Sequence, residues 1–222
     1  MKSINGGNFH KEVFERISDD KREKIFESAM HEFAKEGYVA ANINTIASKA
    51  GISIGAMYTY FPSKENLFLA IAERGVAIYQ EILADLVGRA GFVETVERLF
   101  HLTIEYAKEH TDLSRLYLEL STEQLGNLSV RLSEKMEIDF REFYTELLAA
   151  AKEKGEIRSD VDIGFAAKML DDLVISLQFS YSVSYYNERM QQYVGEDHSE
   201  AQMVQNLVDL VHRYLAPETM PA

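Results

Sequence analysis

No proline stands between Pro62 and Pro217, so positions 63 to 216 lack the residue that most surely breaks a helix. Over that stretch apolar residues recur with the 3.6-residue period of an amphipathic helix, as in Leu67, Phe68, Ile71, Ala72, Ile78, Ile82 and Leu86. An all-α fold is predicted. Capping signals and glycines place helices from about Asp20, where Asp20 and Glu23 resemble a capping box, to a stop at Gly37. Two short helices follow, with Asn42 and Ser53 as N-caps and Gly51 and Pro62 as stops, then a long connector from Ser63 to Val87. Further helices are expected at 92–109, 112–121, 127–154, 160–190 and 199–215, broken at Gly88 with Gly91, His110 to Asp112, Gly126 with Asn127, Gly155, and Gly195 to Ser199. Phe9, Val13 and Ile17, with Phe14 beside them, suggest a short amphipathic helix in an N-terminal arm, 1–18. Residues 19–66 then form one domain and 67–222 another.

The chain contains no cysteine, which excludes disulfides, thiolate metal sites and a cysteine nucleophile. Met1 to Asn8 lack a signal-peptide pattern and no apolar run approaches a membrane span, so a soluble cytoplasmic protein without membrane association is expected. The net charge of −13 is unevenly spread. Residues 1–70 carry nine Lys plus Arg against nine Asp plus Glu, and residues 71–222 carry 14 against 27, so the acidity lies outside the N-terminal segment. An acidic body with a neutral end leaves only that end suited to nucleic acid.

From Ile46 to Tyr60 the spacing fits a helix-turn-helix. Ala47 is small where two helices cross, Gly51 suits the positive φ of the turn, and Ile52 and Met57 fill the space between the helices. Phe33 to Tyr38 (FAKEGY), Ile46-Ala47, Ala50 to Ser53, Gly55, Tyr58 and Tyr60 to Leu67 (YFPSKENL) complete a pattern in which Ile25 to Leu69 resembles the DNA-binding domain of the tetracycline-repressor-like (TetR) family. The resemblance implies a three-helix, helix-turn-helix DNA-binding domain followed by a helical ligand-binding and dimerisation domain. It implies double-stranded operator DNA, a small-molecule effector and a second copy of the chain as partners, no cofactor, and a transcriptional regulator rather than an enzyme, with repression the leading reading and activation or corepression, which use the same mechanics, left open.

Carried over by position, Asn42, Asn44 and Thr45 meet phosphates; Ser53, Ile54, Gly55 and Ala56 approach the bases; Tyr58, Thr59 and Tyr60 hold the backbone; and Lys64 meets a phosphate. Tyr58 and Tyr60 could instead be partly core. No Arg or Lys occurs from Ala50 to Ser63, so guanine readout by Arg is missing and specificity falls to thymine methyls, hydroxyls and DNA shape.

For the body, the resemblance implies a dimer interface of four helices, the last two from each subunit. The apolar positions Leu170, Leu173, Val174, Leu177 and Tyr181, with Val204, Leu207, Val208, Val211 and Leu215, suit it. Twofold symmetry would set two reading heads about 34 Å apart or somewhat more on a near-palindromic operator. Candidate effector contacts are Phe100, Tyr106, Tyr117, Phe140, Phe143, Tyr144, Phe165 and Phe179, with His101, Glu105 and Gln178 as polar partners, although any single one of them reads better as ordinary core. His101 with Glu105 reads better as a surface pair than as metal ligands, and Asp171 with Asp172 as an edge paired with Lys168. The serines at 176, 180, 182 and 184 read as small packing positions rather than a nucleophile. Two alternatives stand beside the repressor: a helical enzyme or lipid carrier whose N-terminal hairpin is scaffold, and a DNA-binding dimer without an effector.

Overall fold

The computed structural model describes residues 9–84, 86, 91–120 and 127–217, with backbone alone for 127–139. All regular elements among the described residues are helices: α1 (Glu12–Glu15), α2 (Asp19–Ala40), α3 (Ile43–Lys49), α4 (Ile54–Tyr60), α5 (Lys64–Ala84), α6 (Phe92–Glu109), α7 (Thr111–Leu120), α8 (Asn127–Glu153), α9 (Ile163–Ser182), α10 (Ser184–Val194) and α11 (Glu200–Leu215). The breaks expected at Gly88 and Gly126 lie outside the described residues. The chain divides into two compact units, Met1–Ala77 with Arg115–Leu132, and Ile78–Ser114 with Ser133–Ala222, and the division falls within α5, α7 and α8.

In the first unit, α2 to α4 close over Ile25, Phe26, Ala29, Phe33, Ile46, Ala47, Met57 and Phe61, all buried. Gly37 interrupts α2 at φ 74°, where a side chain would be strained and where an added Cβ would lie 3.3 Å from the Glu119 carboxylate. The amide of Tyr38 donates to that same carboxylate at 3.3 Å. At the turn between α3 and α4, Gly51 has φ 68°, and the amides of Gly51 and Ile52 reach back to Ser48 O (3.1 Å) and Ala47 O (3.0 Å). This is a Schellman stop, and it fixes how α4 leaves α3. Both short helices are capped by their own sequence: Asn42 Oδ1 accepts from the Asn44 amide (2.9 Å) and Ser53 Oγ from the Ala56 amide (3.1 Å).

Two expectations for this unit are corrected. The capping box at Asp20 does not form, because α2 starts from Ser18 and the Glu23 carboxylate is taken by Arg74 Nη2 at 2.7 Å. The arm is a single helical turn anchored by Phe14, which is buried, whereas Val13 is exposed. Phe14 is the residue drawn inward because it meets Phe61 (4.7 Å between centroids), Phe26 (5.3 Å) and Tyr60 (5.6 Å).

Glu32 is the charged residue on the buried face of α2, and it reaches both ends of α3: the Asn42 amide (3.4 Å) and Lys49 Nζ (3.0 Å). Burial disfavours its charge, but the Lys49 ammonium and the Asn42 amide outweigh that and hold its pKa below the ordinary glutamate value.

In the second unit α6 packs against α9 and α11, and α10 against α9. Val96, Leu99, Phe100 and Ile104 of α6 are buried, as are Leu170, Val174 and Leu177 of α9 and Val204, Val208, Val211 and Leu215 of α11. The single helix expected over 160–190 is two helices, with Val183 extended at φ −123°, ψ 120°. Ser180 and Ser182 turn their hydroxyls back to Ser176 O and Gln178 O (2.8 and 2.7 Å), and Asn187 Nδ2 takes Ser180 O (2.9 Å). These local bonds compete with helix continuation. A full capping box opens α11, with Ser199 and Gln202 bonded reciprocally.

Phe14→Ala is expected to lower stability by about 3 kcal/mol in denaturant unfolding, and Val13→Ala by less than about 0.5 kcal/mol. The depressed Glu32 pKa contributes stability that is complete above the unfolded-state value near 4.5 and is lost as pH falls through the folded value. Acid titration of the melting temperature should therefore show a shallower fall below that pH for Glu32→Gln than for the unaltered chain.

Candidate DNA-binding site

The two capped helices α3 and α4 present one outward face. Asn42 and Asn44 at the start of α3 are exposed and Thr45 is half-buried; Ser53, Ile54, Gly55, Tyr58 and Thr59 of the second helix are exposed and Ala56 is half-buried. Met57, one turn inside, is buried and ties α4 to the core. Several polar atoms of this face are already engaged: Thr59 Oγ1 donates to Gly55 O (2.9 Å) and Ser53 Oγ accepts from Ala56. Among the described residues an added Cβ at Gly55 would find only Ser53 Oγ, at 3.9 Å, so none of them requires glycine there.

Two residues assigned to this face lie elsewhere. Tyr60 is buried, its hydroxyl accepting from Lys21 Nζ at 3.1 Å and its ring lying under the same ammonium. Lys64 donates to Val39 O (2.9 Å) and Ala41 O (2.8 Å), with its Nζ 5.1 Å from the Tyr38 ring centroid. Burial lowers the Lys64 pKa, and the ammonium closes the end of α2 instead of reaching outward.

Sequence reasoning missed Lys11, whose amide donates to Tyr60 O (2.9 Å) and whose Nζ donates to Tyr58 O (3.2 Å). It thereby satisfies two carbonyls at the C-terminal end of α4. Glu32 was missed as well, although a lone charge among Ala29 and Phe33 on the apolar face of α2 was a readable signal.

In the second unit the effector candidates are dispersed. Phe100, Tyr144, Gln178 and Phe179 are buried, Phe140 and Phe143 half-buried, and His101, Glu105 and Phe165 exposed. The last three are turned outward because the apolar faces of α6 and α9 occupy the inner side; Phe165 instead meets Tyr214 at 6.5 Å. Tyr117 is half-buried and belongs to the first unit. The inner group includes built-in polar atoms: Gln178 Nε2 donates to Ser114 Oγ (3.0 Å), and Tyr79 Oη lies 3.5 Å from Thr103 Oγ1. Burial pushes the Tyr79 hydroxyl up to about 12 and raises that of Tyr106 as well, so both stay protonated donors. Tyr79 packs edge-on against Tyr106 (5.2 Å) and Phe140 (5.5 Å).

The interface candidates divide in the same way. Leu170, Val174, Leu177, Val204, Val208, Val211 and Leu215 are core of their own unit, while Leu173, Tyr181 and Leu207 are half-buried. Tyr181 lies beneath the Lys108 ammonium, 5.7 Å from its ring centroid. The apolar surface left outside is a neighbouring line, with Phe165 56%, Leu210 52% and Tyr214 38% exposed. A groove of about 380 Å³ between α9, α10 and α11 includes Leu173, Met203 and Leu207 in its lining.

Residues 25–71 match the family model described as bacterial regulatory proteins, tetR family. The chain is 34% identical over 104 residues to YerO of Bacillus subtilis, an uncharacterized HTH-type transcriptional regulator, covering 45% of this chain and only 36% of that one. It is 30% identical over 148 residues to AcnR of Corynebacterium glutamicum, an HTH-type transcriptional repressor, covering 65% of this chain and 72% of the relative. Among solved structures, a putative transcriptional regulator from Saccharomonospora viridis in complex with choline superposes with a TM-score of 0.70 at 24% identity, over 90% of this chain and 99% of that one. With an exposed, self-capped second helix, a glycine-stopped turn and a relative of this extent, the chain belongs to the tetR family of bacterial regulatory proteins.

Proposed function

We propose that the chain is a homodimeric transcriptional repressor that grips operator DNA with α3 and α4 and releases it when a small molecule enters the second unit. The observation that carries the DNA reading is Gly55. Glycine in the first turn of an exposed helix is a poorer helix former than alanine, and among the described residues neither a positive φ nor a neighbouring atom requires it. A surface from outside the chain that must approach α4 closely accounts for it, and a DNA groove is such a surface. The neutral charge of residues 1–70 against the acidic remainder supports the same end of the chain as the one that meets phosphate.

The outward line of Phe165, Leu210 and Tyr214, continued by Met203 and Leu207, supports a second copy as the partner on α9 and α11. The effector reading is supported by the buried Gln178–Ser114 pair and the Tyr79 hydroxyl, polar atoms placed deep among aromatic rings. The repressor reading accords with the name of the Corynebacterium relative.

Gly55→Ala tests the DNA reading in two directions at once. The substitution should raise thermal stability slightly, by about 0.5 kcal/mol, while lowering affinity for a selected duplex by about tenfold. Equal affinity with raised stability would remove α4 from the contact. For the partner, Leu210→Glu should convert a dimer to a monomer in sedimentation while leaving the helical signal unchanged.

A further inference from the structure

Among the described residues, the outer face of α4 and its cap carry no lysine or arginine of their own, and their polar side chains are Ser53, Tyr58 and Thr59. No Arg or Lys occurs between Ala50 and Ser63. The lysines that flank this stretch are held: Lys49 by Glu32, Lys64 by two carbonyls, and Lys11 by Tyr58 O. The Ser53 hydroxyl accepts from an amide and Thr59 spends its proton on Gly55 O. The large apolar side chain exposed in the first turn is Ile54, 37% exposed, beside the bare Cα of Gly55. The major-groove edges of the four base pairs offer one apolar group, the C5-methyl of thymine.

We propose that Ile54 is the specificity-determining residue of α4 and that it reads the C5-methyl of a thymine in each operator half-site. The inference rests on the DNA-binding reading above and goes beyond it by naming the chemical group recognised. Gly55 lets the helix come close enough for van der Waals contact, and burial of the isoleucine branch against the methyl supplies the discrimination. Uracil keeps every hydrogen-bonding group of thymine and lacks only this methyl, so it isolates the contact.

The test uses the full chain and duplexes recovered from random sequence by selection, resynthesised with uracil in place of single thymines. At one thymine position per half-site, uracil should weaken binding about fourfold, and about fifteenfold with both half-sites changed, the effect of losing one buried methyl each time. Ile54→Ser should bind the thymine and uracil duplexes equally, and 5-methylcytosine paired with guanine should be bound more tightly than cytosine at that position by the unaltered chain. Sequence-selective binding that is indifferent to uracil at every thymine would overturn the proposal and leave the DNA-binding reading standing, as would a uracil penalty that persists in Ile54→Ser. Absence of any selected sequence would overturn both. Circular dichroism of Ile54→Ser, whose side chain is exposed, distinguishes lost readout from lost fold.

Discussion

A single buried carboxylate sets the geometry on which DNA binding depends. Glu32 bonds the amide that precedes α3 and the ammonium that ends it, so the short helix is held at both termini from the middle of α2. A seven-residue helix has too few internal bonds to be stable by itself. Held this way, α3 delivers the chain into the Gly51 turn at a fixed angle, and α4 follows with Met57 and Tyr60 inward and Ile54 and Tyr58 outward. Lys11 on one side and Lys64 on the other then close the free carbonyls of α4 and α2. The lysines nearest the two short helices are therefore engaged within the unit, and the face left outward carries Asn42, Asn44, Ser53, Ile54 and Tyr58.

The second unit follows a different economy. Its helices have more apolar positions than one core can use, and the surplus comes out on the surface. On α11 the line Val204, Val208, Val211 and Leu215 faces α6, and the adjacent line through Leu210 and Tyr214 stays exposed. The same division on α9 buries Leu170, Val174 and Leu177 and exposes Phe165. A helix with two apolar faces has more than one neighbour to satisfy.

Much of this was legible in the sequence. Caps at Asn42 and Ser53, the stops at Gly37 and Gly51, and the spans of α6, α7, α8 and α11 follow from short-range rules that a sequence states directly. What sequence periodicity could not decide was which of two adjacent apolar lines faces inward, because that depends on where α6 lies. It also could not assign long side chains: Lys64 and Tyr60 had outward roles by position, yet carbonyls at Val39 and Ala41 and the ammonium of Lys21 claim them. The break at Val183 escaped because neither glycine nor proline marks it; serine and asparagine bonds to backbone carbonyls accompany it instead.

In the proposed function the outer face of α4 meets a duplex while the outer line of α11 meets a second chain. Photo-crosslinking from a benzophenone side chain introduced singly at position 54 or position 210, in the presence of a selected duplex, tests it most directly. A protein–DNA adduct is expected from position 54 and a chain–chain adduct from position 210. Protein–DNA adducts from 210 with none from 54 would contradict it.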